Sequence, residues 1–584
     1  MEERKKFALI SVYHKEGIVD FAKALLAMGF ELLASSGTCR HLREAGLEVK
    51  DVADMLLESF VIQSQRGGIT FSEEPQDIPL MMAQMREHGM DASAMLGHRV
   101  VTLSREVAAA LLARYLEADL EELVNRGIPW IDLICCDFYP ARDAIAKIDA
   151  TIDSVNEMTD IGGPTMVRAA AKGSRIVICD PADHELVINL LQAEGDVNKE
   201  TRQQLRAKAF ATTGVYDLDL ARFYGQGEYD GVFGKRVLTL GKGETDAQSP
   251  AALYSSRQIT YPLAWKNFCI ISGSPSYVNS ADGERCRQII CRGAEAFRRT
   301  FRQIPNIAVA CKHGNPCGLA ISWNYPVKAI HNTLLGDPIA VMGGEIMTNF
   351  AITDEVGQML LAVPEEDHPR VRRKNWGADV IFAPEFSESS VMLLGKREKR
   401  KLLVNEALFD PQMVPGKRMI RVFDTEEFLI QGLPDYVFTL DNLDELVGPA
   451  PVQDDIIDMI IAWLAAWQSD SNAATVAKDG TLCGLGCGDQ DRIWCCQEAI
   501  AKAERAGHDL NGAKFGSDGF FPYARRKGDD QPLEGPELFA QAGCNGGVVS
   551  ADGQNLVEVK AFFREAKMSV AFVPAKHRGF MFHA

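Results

Sequence analysis

Residues 7–38, FALISVYHKEGIVDFAKALLAMGFELLASSGT, decide the fold class of this chain. An apolar run over residues 7–13 predicts a β-strand, and the apolar residues within 17–28 recur at helical spacing. A second apolar run at residues 30–34 predicts the next strand, and the turn SSGT then leads into a second helix. Strands that alternate with helices in this way predict a parallel sheet covered by helices, so we expect an α/β protein.

The alternation is interrupted by a Met-rich, helix-prone stretch at residues 56–94 that carries no chemical motif. It resumes with the apolar run RVVTL at residues 99–103, which is followed by a helix and by the strand WIDLICCDF. A further helix and strand are expected across residues 160–182, and a charged pair of helices ends near Tyr224.

A chain of 584 residues is too long for one hydrophobic core and predicts at least two domains. The acidic, glycine-containing stretch at residues 225–235, GQGEYDGVFGK, is the best boundary, which gives domains at 1–225 and 226–584. The second domain mixes helices with strands such as NIAVACKH, DVIFAP and TVAKDG. It is long enough for two subdomains of similar size, although its letters show no clean internal repeat.

The composition excludes several classes of function. The net charge of −18 argues against a nucleic-acid-binding surface, because phosphate backbones need a basic stripe. No apolar run reaches the length of a membrane helix, about 18 residues, and the first residues do not resemble a signal peptide, so no membrane partner is expected. Most cysteines lie in apolar segments, which is typical of reduced thiols in a cytoplasmic protein. The densest group matches no paired C-x-x-C pattern, so we expect core thiols and no metal there: Cys483, Cys487, Cys495 and Cys496.

Two strand-to-helix turns near the N-terminus are candidates for binding phosphate. The first contains Ser11 and Lys15 within SVYHKEG, and the second is the SSGT turn, formed by Ser35, Ser36, Gly37 and Thr38. Free N–H groups and the dipole at a helix N-terminus suit an anion. The alternative is ordinary helix capping, because any such turn favours serine, threonine and glycine.

The stretch TDIGGPTMVRAAAKG at residues 159–173 is a stronger candidate. Asp160 precedes the glycine pair Gly162 and Gly163, and Arg168 and Lys172 lie four residues apart on one face of the expected helix. An acid, exposed amides and a lysine are therefore expected to converge on a polar ligand. The alternative is a well-capped amphipathic helix without a ligand.

In CKHGNPCG, residues 311–318, Lys312 and His313 follow an apolar strand, and a turn is expected on Asn315, Pro316 and Gly318. A neighbouring cation favours the neutral form of an imidazole, which suits a general base. The alternative is a histidine that only caps a loop. A zinc deaminase is excluded, because the sequence contains neither H-x-E nor P-C-x-x-C.

Two further segments complete the set of motifs. The glycine-rich run at residues 480–492 ends in Arg492, and SDGFFPY at residues 517–523 contains Asp518 and Phe521. A glycine-rich run alone is weak evidence for a site. Phenylalanines such as Phe521 belong to a hydrophobic core more often than to a pocket for a flat ring.

These motifs occur in an order that resembles one family. SVYHKEG, SSGT, MLGHRVVTL, DIGGPTMVRAAAKG and CDPADHELV are followed by KHGNPCG, AKDGTLCGLGCGDQDR, SDGFFP and HRGFMFH. Together they resemble the AICAR transformylase/IMP cyclohydrolase family of purine biosynthesis. The resemblance implies a methylglyoxal-synthase-like first domain and a transformylase domain of two cytidine-deaminase-like subdomains without zinc. It also implies a homodimer.

The resemblance implies two reactions and a role for each motif. The second domain is expected to transfer a formyl group from 10-formyltetrahydrofolate to AICAR, and the first to close formyl-AICAR to IMP. Lys312, His313 and Asn472 match catalytic positions of the transformylase, and Arg492 and Arg578 match nucleotide-contacting arginines. The matches in the first domain are Asp160, Lys172, Tyr139 and Arg99, with Ser11, Lys15 and the SSGT turn as the phosphate cradle.

The chain departs from the family pattern in two places. Val101 stands where the family has a lysine, and Ser104 and Arg105 replace His-Pro; Arg105 is a candidate substitute for the missing cation. Near residue 239, Thr239 replaces an arginine and an Asn-Pro-His motif is missing; Lys242 is a candidate to compensate. Two alternatives follow: a transformylase with an inactive first domain, and a catalytically silent nucleotide-binding paralogue.

Overall fold

The computed structural model describes residues 4–66, 83, 100, 102–256, 261–361, 377–397, 399–414 and 418–579. The chain forms two compact units, Met1–Phe233 and Gly234–Ala584. No helix among the described residues is long and apolar enough to cross a membrane.

The first unit contains a parallel sheet of five strands in the order β3-β2-β1-β4-β5. Its strands are β1 (Lys6–Ser11), β2 (Phe30–Ala34), β3 (Lys50–Asp51), β4 (Ile131–Cys136) and β5 (Ile176–Ile178). Its helices are α1 (Ile18–Ala27), α2 (Ser36–Glu44), α3 (Val52–Arg66), α4 (Arg105–Leu112), α5 (Glu117–Asn125), α6 (Ala141–Ile145), α7 (Ile152–Glu157), α8 (Gly162–Lys172), α9 (His184–Glu194) and α10 (Lys199–Tyr224).

Both faces of this sheet are buried. Along β1, Leu9 belongs to one apolar cluster, while Ala8 and Ile10 belong to another, because successive side chains of a strand point to opposite faces. Along β4, Ile134 and Leu133 divide in the same way. The predicted parallel α/β architecture of the first unit is therefore confirmed.

Two local predictions need correction, and a third is tested only in part. Ser36, Gly37 and Thr38 form the first turn of α2, so the expected SSGT turn is mostly helix. The described residues of RVVTL are not in a strand, and α4 begins two residues after them. The expected helical segment at residues 56–94 is described only for its first part, which belongs to α3, and for Ala83.

The second unit contains a larger, mixed sheet and two small hairpins, β6–β7 and β14–β15. Its strands are β6 (Lys235–Leu240), β7 (Ala251–Ser255), β8 (Cys269–Ser272), β9 (Asn306–Lys312), β10 (Asn315–Ser322), β11 (Glu345–Thr348), β12 (Val380–Ala383), β13 (Lys401–Val404), β14 (Arg418–Val422), β15 (Phe428–Gly432), β16 (Glu445–Val447), β17 (Ala473–Lys478), β18 (Thr481–Cys487), β19 (Lys514–Ser517), β20 (Gly546–Ser550) and β21 (Ser569–Val573). Its helices are α11 (Tyr277–Phe301), α12 (Pro326–Gly336), α13 (Asp354–Met359), α14 (Glu388–Leu394), α15 (Gln453–Trp467), α16 (Arg492–Ala506), α17 (Gly535–Gln541) and α18 (Leu556–Glu565).

This sheet has an internal repeat that the amino-acid sequence did not reveal. One half has the spatial order β10-β9-β11-β12-β13-β8, the other has β18-β17-β19-β20-β21-β16, and the halves join through β10 and β18. The helices follow the same order along the chain, so α11 corresponds to α15 and α12 to α16. The two halves are topologically identical, and the central helices α11 and α15 share one apolar core.

The repeat extends to the hairpin turns. In the first half, Asp282 of α11 accepts the N–H groups of His313 (3.1 Å) and Gly314 (2.6 Å). In the second half, Asp458 of α15 accepts those of Asp479 (3.1 Å) and Gly480 (2.7 Å). All four turn residues have positive φ, between 52° and 78°. Each half therefore fixes its hairpin turn with one buried carboxylate from its central helix.

The glycines of β18 have a packing role. A Cβ added to Gly484 would overlap the carbonyl of Ala499, and one added to Gly486 would overlap that of Cys495. Helix α16 therefore lies against β18 at a distance that only glycine permits. This close packing explains Gly484 and Gly486, whereas Gly480 and Gly488 have positive φ.

We predict that Gly484→Ala lowers the free energy of unfolding of the second unit by about 1–3 kcal/mol, because the backbone of α16 must move outward. Urea unfolding measures the change. Gly432→Ala is the matched control: nothing lies within 4 Å of its added Cβ, and a change of at most about 0.5 kcal/mol is expected. Equal effects of the two substitutions would contradict this explanation of the glycines.

Candidate active sites

The carboxyl edge of the first sheet collects most of the candidate residues of this unit. Ser11 ends β1, and Ser35 follows β2, its immediate neighbour in the sheet. Tyr139 lies just beyond β4, on the other side of β1. Because α8 leads back to β5, the N-terminus of α8, with Gly162 and Gly163, lies at the same edge.

The residues predicted to bind phosphate form one hydrogen-bonded cluster. Ser11 Oγ donates to Ser35 Oγ at 3.0 Å, and Lys15 Nζ donates to Thr38 Oγ1 at 3.1 Å and to the carbonyl of Val12. Thr38 Oγ1 also accepts the N–H of Val12 at 3.2 Å. Burial lowers the pKa of Lys15, so an anion bound there would stabilise the charged form of this lysine.

The remaining residues of the SSGT motif lie beside this cluster. Ser35 is the N-cap of α2, but in the described structure its side chain makes no capping hydrogen bond. Ser36 Oγ donates to Asp51 Oδ1 at 3.3 Å, and a Cβ at Gly37 would meet no atom within 4 Å. The capping alternative therefore does not account for Ser35, whose hydroxyl belongs to the cluster.

Asp160 is held by backbone amides. Its carboxylate accepts the N–H of Gly163 at 2.7 Å and that of Tyr139 at 3.3 Å, and its own N–H donates to Tyr216 Oη at 2.8 Å. Burial raises the pKa of Asp160, and the N–H groups oppose this shift. A Cβ on Gly163 would lie 2.7 Å from Asp160 Oδ2 and 2.9 Å from Phe138, so this position needs glycine.

Asp137 is a residue of this edge that the sequence reasoning missed. It accepts hydrogen bonds from the N–H groups of Tyr13 and His14, and its Oδ2 lies 2.8 Å from His14 Nδ1. The ring of Tyr13 meets that of Tyr139 edge-to-face at 5.6 Å. Burial raises the pKa of Tyr139, and the charge of Asp160 adds to this shift. The sequence feature that could have indicated Asp137 is an acid directly after the buried strand WIDLICC.

Lys172 is not brought to Asp160, and the expected convergence of the two is wrong. They lie at opposite ends of α8, which is about 15 Å long. Lys172 instead lines a cavity of about 610 Å³, together with Trp130 and Arg175, near the amino end of β5.

The segment in which this unit departs from the family pattern lies beside the candidate site. A Cβ added to Gly162 would lie 2.5 Å from Thr102 Oγ1, so the segment of Thr102 touches the start of α8. Arg105, the candidate substitute, is exposed and donates to Glu106 and Gln63. Arg99 and Val101 lie outside the described residues, so the role predicted for Arg99 stays a prediction.

In the second unit, strand directions bring distant motifs to one edge of the large sheet. β9, β10, β18 and β17 are successively antiparallel, so the carboxyl end of β9 and the amino end of β17 lie at the same edge. Lys312 is the last residue of β9, and Asn472 precedes β17. Arg492 follows β18, and Asp518 follows β19, at this same edge.

The KHGN segment is a tight hairpin. Lys312 pairs with Asn315, and the loop between them consists of His313 and Gly314, both with positive φ, as in a type I′ turn. The expected turn on Asn315, Pro316 and Gly318 is therefore wrong, because all three belong to β10. The side chain of His313 is exposed, and Lys312 Nζ donates to the carbonyl of Met342 at 2.9 Å.

The hairpin is tied to the segment that carries Asn472. Asn315 Nδ2 donates to Asp470 Oδ2 at 3.0 Å, and the N–H of Asp470 donates to Asn315 Oδ1 at 2.9 Å. Arg285 donates to the carbonyl of Gly314 at 2.6 Å and lies 3.8 Å from Asp470. Asn315 and Asp470 are 155 residues apart in the sequence, so no local sequence pattern predicted this contact.

Arg492 and Asp518 form a buried ion pair that positions Asn472. Arg492 is 7% exposed and Asp518 is 1% exposed. The guanidinium donates to Asp518 Oδ1, to Asn472 Oδ1 at 2.7 Å and to the carbonyl of Ala473 at 3.0 Å. Asn472 Nδ2 donates to the carbonyl of Asp489 at 2.8 Å. The side chain of Asn472 is thus fixed from both ends.

Two other candidate residues, Phe521 and Arg578, make packing or ion-pair contacts within the fold. Phe521 is 2% exposed and packs against Phe515 and Phe539 in the apolar core of the second half. Arg578 is exposed and donates to Asp552 Oδ2 at 2.7 Å. The structure therefore favours the core alternative for Phe521.

The cysteine group near residue 490 is part of the same core. Cys483, Cys495 and Cys496 are buried among apolar side chains, and burial raises the pKa of each thiol. Within the described residues, no group of three or more His, Cys, Asp or Glu side chains is arranged to hold a metal ion.

The departure near residue 239 lies beside the start of α11. Thr239 is an exposed residue of β6, and the carbonyl of Lys242 accepts the N–H of Tyr277 at 3.0 Å. The ammonium group of Lys242 lies 3.1 Å from Asp246. The proposed compensation by Lys242 stays a prediction.

Two family models match this chain. The model described as AICARFT/IMPCHase bienzyme matches residues 170–502, which is more than half of the chain. The chain belongs to this family. The model described as MGS-like domain matches residues 17–165, which confirms the predicted methylglyoxal-synthase-like domain. The likeness of the two halves of the second unit to cytidine deaminases stays a prediction.

Members of the AICARFT/IMPCHase family resemble the chain over most of its length. "Bifunctional purine biosynthesis protein PurH" of Thermoanaerobacter sp. is 30% identical over 535 residues, 89% of this chain and 90% of that protein. The protein of the same name from Caldicellulosiruptor bescii is 29% identical over 536 residues, with the same coverage. A structure titled "Crystal structure of ForH" matches 38% of this chain and all of its own chain, at 32% identity and a TM-score of 0.28.

We predict that Asp518→Ala destabilises the second unit by about 3–5 kcal/mol, because it leaves the buried guanidinium of Arg492 without its counter-charge. Urea unfolding followed by tryptophan fluorescence measures the change. The control is Asp552→Ala, which removes the partner of the more exposed Arg578 and is expected to cost less than about 1 kcal/mol. Similar losses for both variants would contradict the special role of the buried pair.

Proposed function

We propose that this chain is a bifunctional enzyme of purine biosynthesis, a transferase and a hydrolase in one chain. The segment 226–584 transfers the formyl group of 10-formyltetrahydrofolate to AICAR, and the segment 1–225 closes formyl-AICAR to IMP. Membership of the AICARFT/IMPCHase family and the likeness to bifunctional PurH proteins over 89% of the chain support this proposal. We also propose a cytoplasmic homodimer that uses no metal ion.

The observation that carries the transformylase proposal is the shared sheet edge of the Lys312–His313 hairpin, Asn472 and Arg492. The 5-amine of AICAR is a weak nucleophile, because its lone pair is delocalised into the ring and the carboxamide. When this nitrogen attacks the formyl carbon, His313 takes its proton as general base. The C–N bond to the folate breaks as N10 regains a proton, so formyl-AICAR and tetrahydrofolate leave.

The tetrahedral intermediate carries an oxyanion that needs donors. Lys312 uses one ammonium proton for the carbonyl of Met342 and keeps two. Asn472 uses one amide proton for the carbonyl of Asp489, while Arg492 holds its oxygen, which orients the second amide proton. We assign oxyanion stabilisation to these two residues, and nucleotide contacts to Arg578.

The cyclohydrolase reaction is assigned to the carboxyl edge of the first sheet. The cluster of Ser11, Lys15, Ser35 and Thr38 is the proposed phosphate cradle. Asp160 and Tyr139, joined by a backbone hydrogen bond, are the proposed groups at the reacting atoms. Ring closure needs mainly a folded substrate pose, which a rigid cradle supplies. Lys172 has no place in this proposal, because it lies at the other end of α8.

We predict that His313→Ala lowers the kcat of formyl transfer about 10²- to 10⁴-fold, because the general base is lost. The assay follows tetrahydrofolate formation from 10-formyltetrahydrofolate and AICAR. Asp479→Ala is the control: Asp479 occupies the same turn position in the other half, also with positive φ, but at the opposite sheet edge. Equal rates for His313→Ala and the unchanged enzyme would exclude His313 as the base, and no transfer by either would favour the silent paralogue.

For the first unit, we predict that Asp160→Asn lowers the rate of IMP formation from formyl-AICAR about 10²-fold, while Lys172→Ala leaves it nearly unchanged. Asparagine keeps an oxygen that accepts the amide of Gly163 but offers no second acceptor to the N–H of Tyr139, so urea unfolding of the variant separates a loss of chemistry from a loss of folding. The opposite ranking would restore Lys172 as a catalytic residue.

The family lysine missing at position 101 gives a separate test. Val101→Lys is expected to raise the cyclisation rate, because it restores a cation next to the segment that touches α8. The measurement is the rate of IMP formation in the two proteins. No IMP formation by either protein would favour the alternative of a transformylase with an inactive first domain.

A further inference from the structure

A buried acid lies directly behind the Lys312–His313 hairpin. Glu345 is the first residue of β11 and is 2% exposed. It pairs with Cys311 of β9, one residue before Lys312. An unpaired ionised carboxylate is rarely buried to this extent, so the surroundings of Glu345 must supply either a cation or a proton.

The contacts of Glu345 indicate a proton. Asn279 Nδ2 donates to Glu345 Oε1 at 2.6 Å, and the carboxyl group is also hydrogen-bonded to the side chain of Asp282. Two carboxyl groups in contact cannot both be ionised without strong repulsion, so they hold a proton between them. Asp282 already accepts the N–H groups of His313 and Gly314, so Glu345 is the donor. Burial raises the pKa of Glu345, and the charge of Asp282 adds to this shift.

The other half of the sheet contains a natural comparison. Lys514 is the first residue of β19, pairs with Ala477 of β17 and is 1% exposed, so it occupies the position equivalent to Glu345. Burial raises the pKa of Asp458, which holds the second hairpin, to about 6, and the N–H groups of Asp479 and Gly480 and the positive charge of Lys514 oppose this shift. The carboxylate that holds the turn therefore lies near a lysine in the second half, which is ion-paired with Asp455, and next to a second acid in the first half.

We propose that Glu345 is a positioning residue whose proton holds Asp282 against the turn of the Lys312–His313 hairpin, so that formyl transfer is lost when Glu345 ionises. This inference rests on the proposed function of the hairpin. Ionisation places a second negative charge against Asp282, breaks the hydrogen bond between the two carboxyl groups and loosens the two amides that fix the orientation of His313.

The surroundings of Glu345 contain few groups that could replace the proton. Helix α11 contributes Asp282 and Cys286, β10 contributes Cys317, and the residue before β12 is Asp379, whose negative charge also raises the pKa of Glu345. The cations on this side are Lys312 of β9, which is engaged with Met342, and Arg285, which donates to Gly314. Neither cation is among the hydrogen-bonding partners of Glu345, which are Asn279 and Asp282.

The sign of the pH effect follows from the raised pKa. The ordinary pKa of a glutamate, about 4.3, applies to the unfolded chain. Stability contributed by the protonated pair is present below that value and is lost as the pH rises through the folded pKa. The hairpin is therefore expected to be firmly held at low and neutral pH and to loosen at alkaline pH.

The test is hydrogen exchange in the full-length protein as a function of pH, after correction for the intrinsic exchange rate. We expect the protection of His313 and Gly314 to fall as Glu345 ionises, while that of Asp479 and Gly480 in the same molecule does not fall with it. In Glu345→Gln, which donates a hydrogen bond but does not titrate, the first turn is expected to stay protected. Parallel pH behaviour of the two turns in the wild type, or the same alkaline loss in Glu345→Gln, would overturn the proposal.

The rate of formyl transfer gives the functional readout. Wild-type kcat is expected to fall about tenfold per pH unit above the raised pKa, since one proton is lost. Glu345→Gln is expected to lack this alkaline limb, and Glu345→Ala to lose activity at every pH. The control Asp458→Asn weakens the other hairpin and is expected to keep the wild-type limb. If the protein transfers no formyl group at all, the proposed function fails, while hydrogen exchange still decides the role of Glu345.

Discussion

The second site depends on one contact: a buried carboxylate that accepts two backbone N–H groups of a two-residue turn. Asp282 holds His313 and Gly314 in this way. Both have the left-handed backbone conformation, which residues other than glycine rarely adopt. This turn fixes the positions of Lys312 and Asn315. Asn315 is hydrogen-bonded to Asp470, near the start of β17. Without this contact, the lysine and the imidazole would have no fixed position relative to Asn472.

The duplicated architecture explains why only one of the two hairpins is a candidate for catalysis. Because β9 and β17 run in opposite directions, their hairpins lie at opposite edges of the sheet. The loops that follow β18 and β19 bring Arg492 and Asp518 to the edge of His313 and not to that of Asp479. In the proposed mechanism, one half therefore supplies the reacting groups, and the other supplies the arginine and asparagine that surround them.

The sequence predicted the parallel α/β unit, because apolar runs of strand and helix length alternate there without interruption until residue 55. It also predicted which motifs follow strands, and hence that Lys312 and His313 lie at a strand end. It did not predict the internal repeat, because the two halves share strand order and turn geometry but not a recognisable sequence. Contacts across long separations, such as Asn315 with Asp470, were also invisible, and Lys172 was misplaced because helix spacing gives a shared face but not the distance along the axis.

In the proposed mechanism, the imidazole of His313 meets the amine of AICAR at this edge of the sheet. A crystal structure of the protein with AICAR bound tests it most directly. We predict that the 5-amine lies within hydrogen-bond distance of His313, about 2.6–3.2 Å, with Lys312 and Asn472 around the position of the formyl group. AICAR bound with its amine away from His313, or at the opposite edge beside Asp479, would contradict the account.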